Sequence, residues 1–397
     1  MPTVTILSNG HGEDVIGAQL AQELLYQRPD LLLQAYPTVD RGEAYESVGI
    51  PILGPRKRMP SGGLLLHSME YFVEDIRAGF VPMTLRQIRD LWQLQTDVLL
   101  VVGDIYAQLL SALVRAEARF VVQSLVSAYQ SHGIHLRRLN RSVMENITYF
   151  ERVLMRRLAV RVYVRDERTR ASLEKRGLDH VRALGNPILD ALQGEPITEL
   201  KDEPCVVALL PGTRRHAEKA LDLMLEALAR LSGVTGVVAW AAGDLPDFSN
   251  WQVKRGAAEN LIAILQRASQ RVFVFRERFA DVLKSSDLVL GTAGTANEQA
   301  VALGIPVISF ALPPFYTAAF LENQKRLLGD SLVVTSPDIR EIAAVIDDLR
   351  NDAEYMEQVA RLGPERLGRP GGSRAIVNDL LECAGKLGVI DKSYIGR

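Results

Sequence analysis

Cysteine is almost missing: Cys205 and Cys383 are the only two in 397 residues, and they form neither a C-x-x-C pair nor a metal-ligand spacing. Two isolated thiols fit a reducing compartment and exclude a disulfide scaffold. An excess of one charge is missing too. The 46 Lys and Arg nearly balance the 48 Asp and Glu, for a formal net charge of −2, which excludes a general nucleic-acid binder. No apolar run approaches the roughly eighteen residues that a membrane span needs. The stretch Met1 to Leu7 has no basic n-region and no cleavage site, so the expectation is a cytoplasmic protein, at most peripheral on the inner face of a membrane. There is no G-x-x-x-x-G-K-[ST] phosphate loop and no Asp-x-Asp pair. The close pair His132 and His135 has no thiol or carboxylate company, so neither a metal site nor a cofactor is expected.

What is present is a large apolar fraction, 47% of the chain, with 24% charged residues. The length exceeds one ordinary core and predicts two domains. Short Val/Leu/Ile runs alternate with helical patterns, as expected for parallel strands buried on both faces. In the first half they are Thr3–Leu7, Leu31–Tyr36, Val98–Val102, Phe120–Gln123, Arg161–Val164 and Val181–Leu184. A polar stretch with two prolines, Gln193 to Pro204, reads as a linker. The alternation restarts with Cys205–Leu210, Val237–Trp240, Val272–Phe275, Leu288–Leu290 and Val307–Phe310. The predicted organisation is an N-terminal Rossmann-like domain over 1–193 and a second over 204–370. Residues 371–397 are expected to cross back to the first. Ligands of such open sheets bind at the carboxyl ends of the strands.

Three loops at those ends can carry chemistry. The first strand runs into Asn9, Gly10, His11, Gly12, Glu13 and Asp14. Glycines there let backbone amides approach a ligand, and the start of the following helix favours an anion. Val15 stands where a dinucleotide fingerprint has its third glycine, and the second strand ends in Tyr36-Pro37 without a ribose-binding acid, so a nicotinamide role is disfavoured. The plain alternative is a tight turn whose Glu13 and Asp14 favour the helix dipole. The second loop is Leu210-Pro211-Gly212-Thr213-Arg214-Arg215, where a hydroxyl and a guanidinium fork suit phosphate oxygens. The third is Gly291 to Ala300, with Gly294, Thr295 and Ala296 at a helix start that suits a pyrophosphate, and Glu298 one turn on, placed for ribose hydroxyls.

Taken together these segments resemble GT-B glycosyltransferases, most closely lipid-A-disaccharide synthase and its related proteins. Leu210-Pro211-Gly212-Thr213-Arg214 is similar to that family's Leu-Pro-Gly-Ser-Arg, and Gly294-Thr295-Ala296-Asn297-Glu298 to its Ser-Gly-Thr-Ala…Glu. Gly103-Asp104 and Gln123-Ser124-Leu125-Val126-Ser127 fall where the family has Gly-Ile-Asp and Tyr-Val-Ser-Pro-Ser. The N-terminal turn departs from the synthase's Ala-Gly-Glu-x-Ser-Gly-Asp and is closer to the Gly-Gly-His loops of peptidoglycan and glycolipid transferases.

The resemblance implies two Rossmann-like domains facing a cleft, a UDP-sugar donor on the second domain and an inverting transfer. Gln324, in a late helix, would contact the donor sugar. With no metal pair in the sequence, helix starts at Gly294-Thr295 and Gly10–Gly12, with Arg214, would stabilise the departing diphosphate. The base is Asp104 or His11: resemblance favours Asp104, and His11 suits neutral pH. Arg56-Lys57-Arg58, the apolar residues Leu64 to Phe72, and the arginines between His135 and Arg161 suggest a basic, part-apolar first-domain face that binds a membrane-lipid acceptor. The alternatives are a UDP-sugar 2-epimerase of the same fold and a non-catalytic UDP-sugar-binding protein.

Overall fold

The structure, a computed structural model, describes residues 1–39, 41–57, 76–77, 79–130, 147–213, 216–243, 245–256, 258, 260–314 and 316–391. Arg58, the apolar residues Leu64 to Phe72, His132, His135, the arginines at 137, 138 and 141, Arg214 and Arg215 lie outside the described residues. The chain divides into two compact units: 1–191 with 368–397, and 192–367.

The first unit holds a six-stranded parallel sheet. Its strands are β1 (Thr3–Ser8), β2 (Leu32–Pro37), β3 (Gln95–Val102), β4 (Arg115–Gln123), β5 (Arg161–Val164) and β6 (Val181–Ala183), in the order β2-β1-β3-β4-β5-β6. The β-branched and leucine runs explain this. Leu99 to Val101 and Ile6 to Leu7 are wholly buried, which only a strand covered on both faces achieves. Each such side chain contributes about 1.5–3 kcal/mol by leaving water. Right-handed crossovers put the helices Phe80–Gln93, Ile105–Ser111 and Tyr149–Leu158 on one face. The first helix, His11–Gln27, goes to the other, where Gly372–Lys386 packs on it. That last helix is tied down by polar contacts: Gln27 Nε2 donates to Asn378 Oδ1 at 2.8 Å, and the Tyr163 hydroxyl donates to Asp379 at 2.9 Å.

The second unit holds an eight-stranded sheet. Its strands are β7 (Val206–Leu210), β8 (Thr235–Ala239), β9 (Gln252–Arg255), β10 (Leu261–Arg267), β11 (Gln270–Phe275), β12 (Leu288–Gly291), β13 (Val307–Phe310) and β14 (Leu332–Thr335). They lie in the order β14-β13-β12-β7-β8-β11-β10-β9. The five expected runs are the parallel centre. Two further strands, β9 and β10, extend it antiparallel from β11; neither is among the expected runs, and β9 is exposed at all four residues and carries no pattern. The stretch expected as a linker packs on this unit: Glu195 N donates to Asp281 at 2.7 Å, and Lys284 Nζ donates to the Gly194 carbonyl at 2.7 Å. In each sheet the strand order reverses once, between β1 and β3 and between β7 and β12, which marks the crevice where α/β ligands bind.

Candidate functional site

Both reversal points coincide with the loops singled out by sequence. In the first unit Asn9, Gly10, His11, Gly12 and Glu13 follow β1, and Gly103-Asp104 follow β3. Asn9 is buried and its Nδ2 donates to Asp104 Oδ1 at 2.8 Å, binding the two loops together. The approach is so close that a Cβ on Gly103, whose φ is +148°, would lie 1.9 Å from Asn9 Oδ1. Asp104 caps the helix Ile105–Ser111, accepting from Tyr106 N at 3.0 Å. His11 opens the first helix on its exposed side, and Gly12 sits against Leu125, beyond β4.

A small cavity lies here, lined by Glu13, Gly103, Asp104, Gln123, Ser124 and Leu125. Two buried polar atoms, Ser124 Oγ in its lining and Asn9 Oδ1 beside Gly103, make no hydrogen bond within the protein. Burial, with Asp104 and Asp14 adding like charge, pushes the Glu13 carboxyl up to about 8, against a backbone hydrogen bond that lowers it. Below the cavity, Gln123 Nε2 donates to Glu151 Oε1 at 3.1 Å. Glu151 completes a capping box with Thr148, and burial raises its carboxyl as well. Three carboxyl groups thus gather at the ends of β1, β3 and β4.

Asp14 behaves differently from its neighbour Glu13. It is buried and turned inward: Ser8 Oγ donates to Asp14 Oδ1 at 2.6 Å, and the Tyr45 hydroxyl donates to Ser8 Oγ at 2.9 Å. Burial first, then the Asp14 charge, holds the Tyr45 hydroxyl well above its ordinary value. Asp14 therefore anchors the turn from within.

In the second unit Gly212 and Thr213 follow β7, and Gly294, Thr295 and Ala296 start the helix Gly294–Ala302 after β12. Gly212 needs its left-handed φ of +87°. Thr292 Oγ1 donates to the Pro211 carbonyl at 3.1 Å, and His216 Nε2 donates to the Thr292 carbonyl at 3.1 Å, so this ring carries its proton on Nε2. Glu298 is half-buried, one turn into the helix. Gln324 is buried and committed within the unit: Nε2 donates to the Gly294 carbonyl at 2.8 Å and Oε1 accepts from the Tyr316 hydroxyl at 2.6 Å. Burial pushes that hydroxyl up to about 12. Asn297 Nδ2 and Ser309 Oγ both donate to the Gly291 carbonyl, at 3.2 and 2.5 Å. This network fixes the backbone beneath Gly294 at the start of the helix.

Sequence reasoning missed Glu151, His216 and Tyr316. The Thr148-x-x-Glu151 spacing is a capping-box signal, but nothing in it says that the glutamate turns toward Gln123.

A family described as "Protein of unknown function (DUF354)" matches residues 265–363. No curated protein matches the sequence. Among solved structures, the chain is similar to CalG4, the calicheamicin glycosyltransferase, with a TM-score of 0.63 at 14% identity over 97% of this chain and 99% of that one. It is similar to a putative UDP-N-acetylglucosamine 2-epimerase from Listeria monocytogenes, with a TM-score of 0.58 at 14% identity over 98% of each chain. It is also similar to MurG from Acinetobacter baumannii, with a TM-score of 0.56 at 13% identity over 96% and 99%. The likeness establishes the fold: the chain is a GT-B protein, of the architecture shared by sugar transferases and UDP-sugar epimerases.

Proposed function

We propose that the protein is a glycosyltransferase that takes a sugar from a UDP-sugar held on the second unit and passes it, with inversion, to an acceptor held on the first, a membrane lipid or lipid-linked sugar. The observation that carries this reading is the braced loop at Gly294, where a buried network under a helix start offers amides to a diphosphate and Glu298 to the ribose. Gly212, Thr213 and, outside the described residues, Arg214 would take the remaining phosphate oxygens. Gln324 supports the site from behind through the Gly294 carbonyl. The basic and apolar residues of the first unit's sequence, Arg56 and Lys57 and the arginines up to Arg161 among them, support the lipid acceptor.

For the chemistry, the acceptor hydroxyl enters the cavity beside Glu13, Asp104 and Ser124. Asp104 Oδ1 already accepts two hydrogen bonds, which makes it an orienting group more than a strong base. Glu13, whose carboxyl burial pushes up to about 8, takes the hydroxyl proton. The hydroxyl oxygen attacks the anomeric carbon, and the bond to the diphosphate breaks with its electrons leaving on UDP. His11, at the exposed helix start, contacts acceptor or phosphate.

The test is calorimetric binding of UDP, GDP, ADP and NAD, with Glu298→Ala alongside. Selective UDP binding that weakens about tenfold in the variant is expected, the loss of one charge-assisted contact. Equal affinity for all four, or none, overturns the reading. The gathered carboxyls of Glu13, Asp104 and Glu151 favour a second reading, a UDP-sugar epimerase. An epimerised sugar nucleotide formed without any acceptor, seen by proton NMR, would establish it.

A further inference from the structure

The helix Phe80–Gln93 is amphipathic in an unusual sense: both of its faces are apolar. Phe80, Met83 and Leu91 point into the unit, while Val81, Leu85, Ile88 and Trp92 point out, with exposures of 48, 63, 37 and 61%. Their spacing is that of one helical stripe, so they form a line of apolar surface. The helix packs against Ile105–Ser111, which exposes Leu109, and that one against Tyr149–Leu158, which exposes Tyr149 and Phe150. Right-handed crossovers place all three on the same side of the sheet. Soluble surfaces carry single exposed apolar residues freely, but a stripe continued across three helices marks an interaction face.

Charge identifies the partner. Arg86, Arg89 and Arg157 are exposed on these helices. Their acids are Asp90, half-buried and 3.5 Å from Arg89, and Glu151, buried in its capping box. Arg56 adds no charge to this face, because Glu46 accepts from its guanidinium at 2.8 Å. Among the described residues, these three helices thus join Leu, Ile and Trp to Arg86, Arg89 and Arg157, with half-buried Asp90 and buried Glu151 as their acids, on a chain whose net charge is −2. A second copy meeting this face about a twofold axis would bring these arginines toward their own counterparts. An anionic lipid surface meets both the apolar stripe and the charge.

We propose that the outer face of these three helices seats on an anionic phospholipid bilayer, Leu85 and Trp92 entering the headgroup–acyl boundary and Arg86 and Arg89 meeting lipid phosphates. The Phe80 end of the helix packs on Tyr106, two residues past Asp104, so the seat adjoins the first-unit cavity. The inference rests on the lipid-acceptor reading for its purpose, but bilayer binding needs no sugar, donor or acceptor to be measured.

The experiment is flotation with vesicles of equimolar phosphatidylcholine and phosphatidylglycerol and with vesicles of phosphatidylcholine alone. Trp240 and Trp251 are buried, leaving Trp92 as the exposed reporter among the three tryptophans. The full chain is expected to float with the anionic vesicles, to be released by salt, and to show a blue-shifted Trp92 emission. Leu85→Ser with Trp92→Ser should lower partitioning about tenfold or more. Arg86→Gln with Arg89→Gln should abolish the preference for anionic lipid, and thermal melts should match the parent in both. Failure of the intact chain to float, or flotation undiminished by Leu85→Ser with Trp92→Ser, overturns the proposal. So does a dimer in light scattering that those changes dissolve, which would make the face a self-interface. Loss of the UDP reading by calorimetry leaves the flotation result standing, so the two fail separately.

Discussion

Replacing Glu13 by Gln should make the protein more stable, by an amount that is nil in acid and grows as pH rises. The unfolded carboxyl ionises near 4.5, whereas in the native cavity it keeps its proton to about 8. Between those values the unfolded chain releases a proton that the native protein holds, so the native state loses about 1.36 kcal/mol for each pH step. The sign follows: below 4.5 both states are protonated and nothing is lost, and above 8 both are ionised and the loss is complete. The full interval corresponds to about 5 kcal/mol, and about 3 kcal/mol at pH 7. Glu13 is half-buried, so water reaches it and screens part of this, leaving an expected gain of about 1–3 kcal/mol for the uncharged isostere at pH 8. In a unit of this size that raises the melting temperature by about 2–4 °C per kcal/mol. Melts of Glu13→Gln and parent at pH 4 and pH 8 are the assay, following the transition of the first unit. An equal gain at both pH values, or a loss at pH 8, would refute the burial of this carboxyl. The same substitution should remove turnover, since a group that destabilises the fold is retained only where function needs it.

Turnover of the UDP-sugar that binds best should fall as pH drops through about 8, and Asp104→Asn should move that limb to lower pH by removing a like charge beside Glu13; a pH-rate profile unchanged in Asp104→Asn would dismiss the coupling. Gln324→Ala should cost about 1–3 kcal/mol, since the Gly294 carbonyl and the Tyr316 hydroxyl both lose a buried partner, and should weaken UDP binding. Denaturant unfolding and calorimetry check the two effects, and normal UDP affinity would separate Gln324 from the site. Ser8→Ala should cost about 1–3 kcal/mol by taking one donor from buried Asp14 and one acceptor from Tyr45, again read by denaturant unfolding.

The strands were readable because both faces of a parallel sheet are buried, which writes Val-Leu-Leu-Val-Val into β3 and Val-Val-Ala-Leu-Leu into β7 without any polar alternation. Strand β9, Gln-Val-Lys-Arg, lies at a sheet edge facing water and has no such constraint, so only its partners define it. The loops were readable for a related reason: glycine is required where the backbone leaves no room for a Cβ, as at Gly103 against the Asn9 side chain, and such turns cluster where the strand order reverses. The facing of side chains was not. Glu13 and Asp14 sit together at a helix start and both suit the dipole, yet neighbours on a helix are turned by about 100°, so one lines the cavity and the other goes to Ser8. Gln324 shows the same limit from the other side. A polar residue at a helix surface reads as a ligand contact until its amide is seen holding the Gly294 carbonyl.

The two units solve one problem with opposite electrostatics. At each reversal point a glycine loop must stay rigid while its polar atoms face a ligand, which leaves backbone groups that the fold itself has to hold. In the second unit the bracing is neutral: Asn297, Ser309, Tyr316 and Gln324 form a hydrogen-bonded set without a charge of its own, so the positive end of the helix at Gly294 is left for an anion. In the first unit the bracing is acidic. Asp14 beneath the turn and Asp104 across it surround the helix start with negative charge, which adds to burial in raising the proton affinity of Glu13. A diphosphate placed there would meet those carboxylates, whereas a neutral sugar hydroxyl would meet a base. Under the proposed function, the same topology would serve an anion in one unit and a proton transfer in the other.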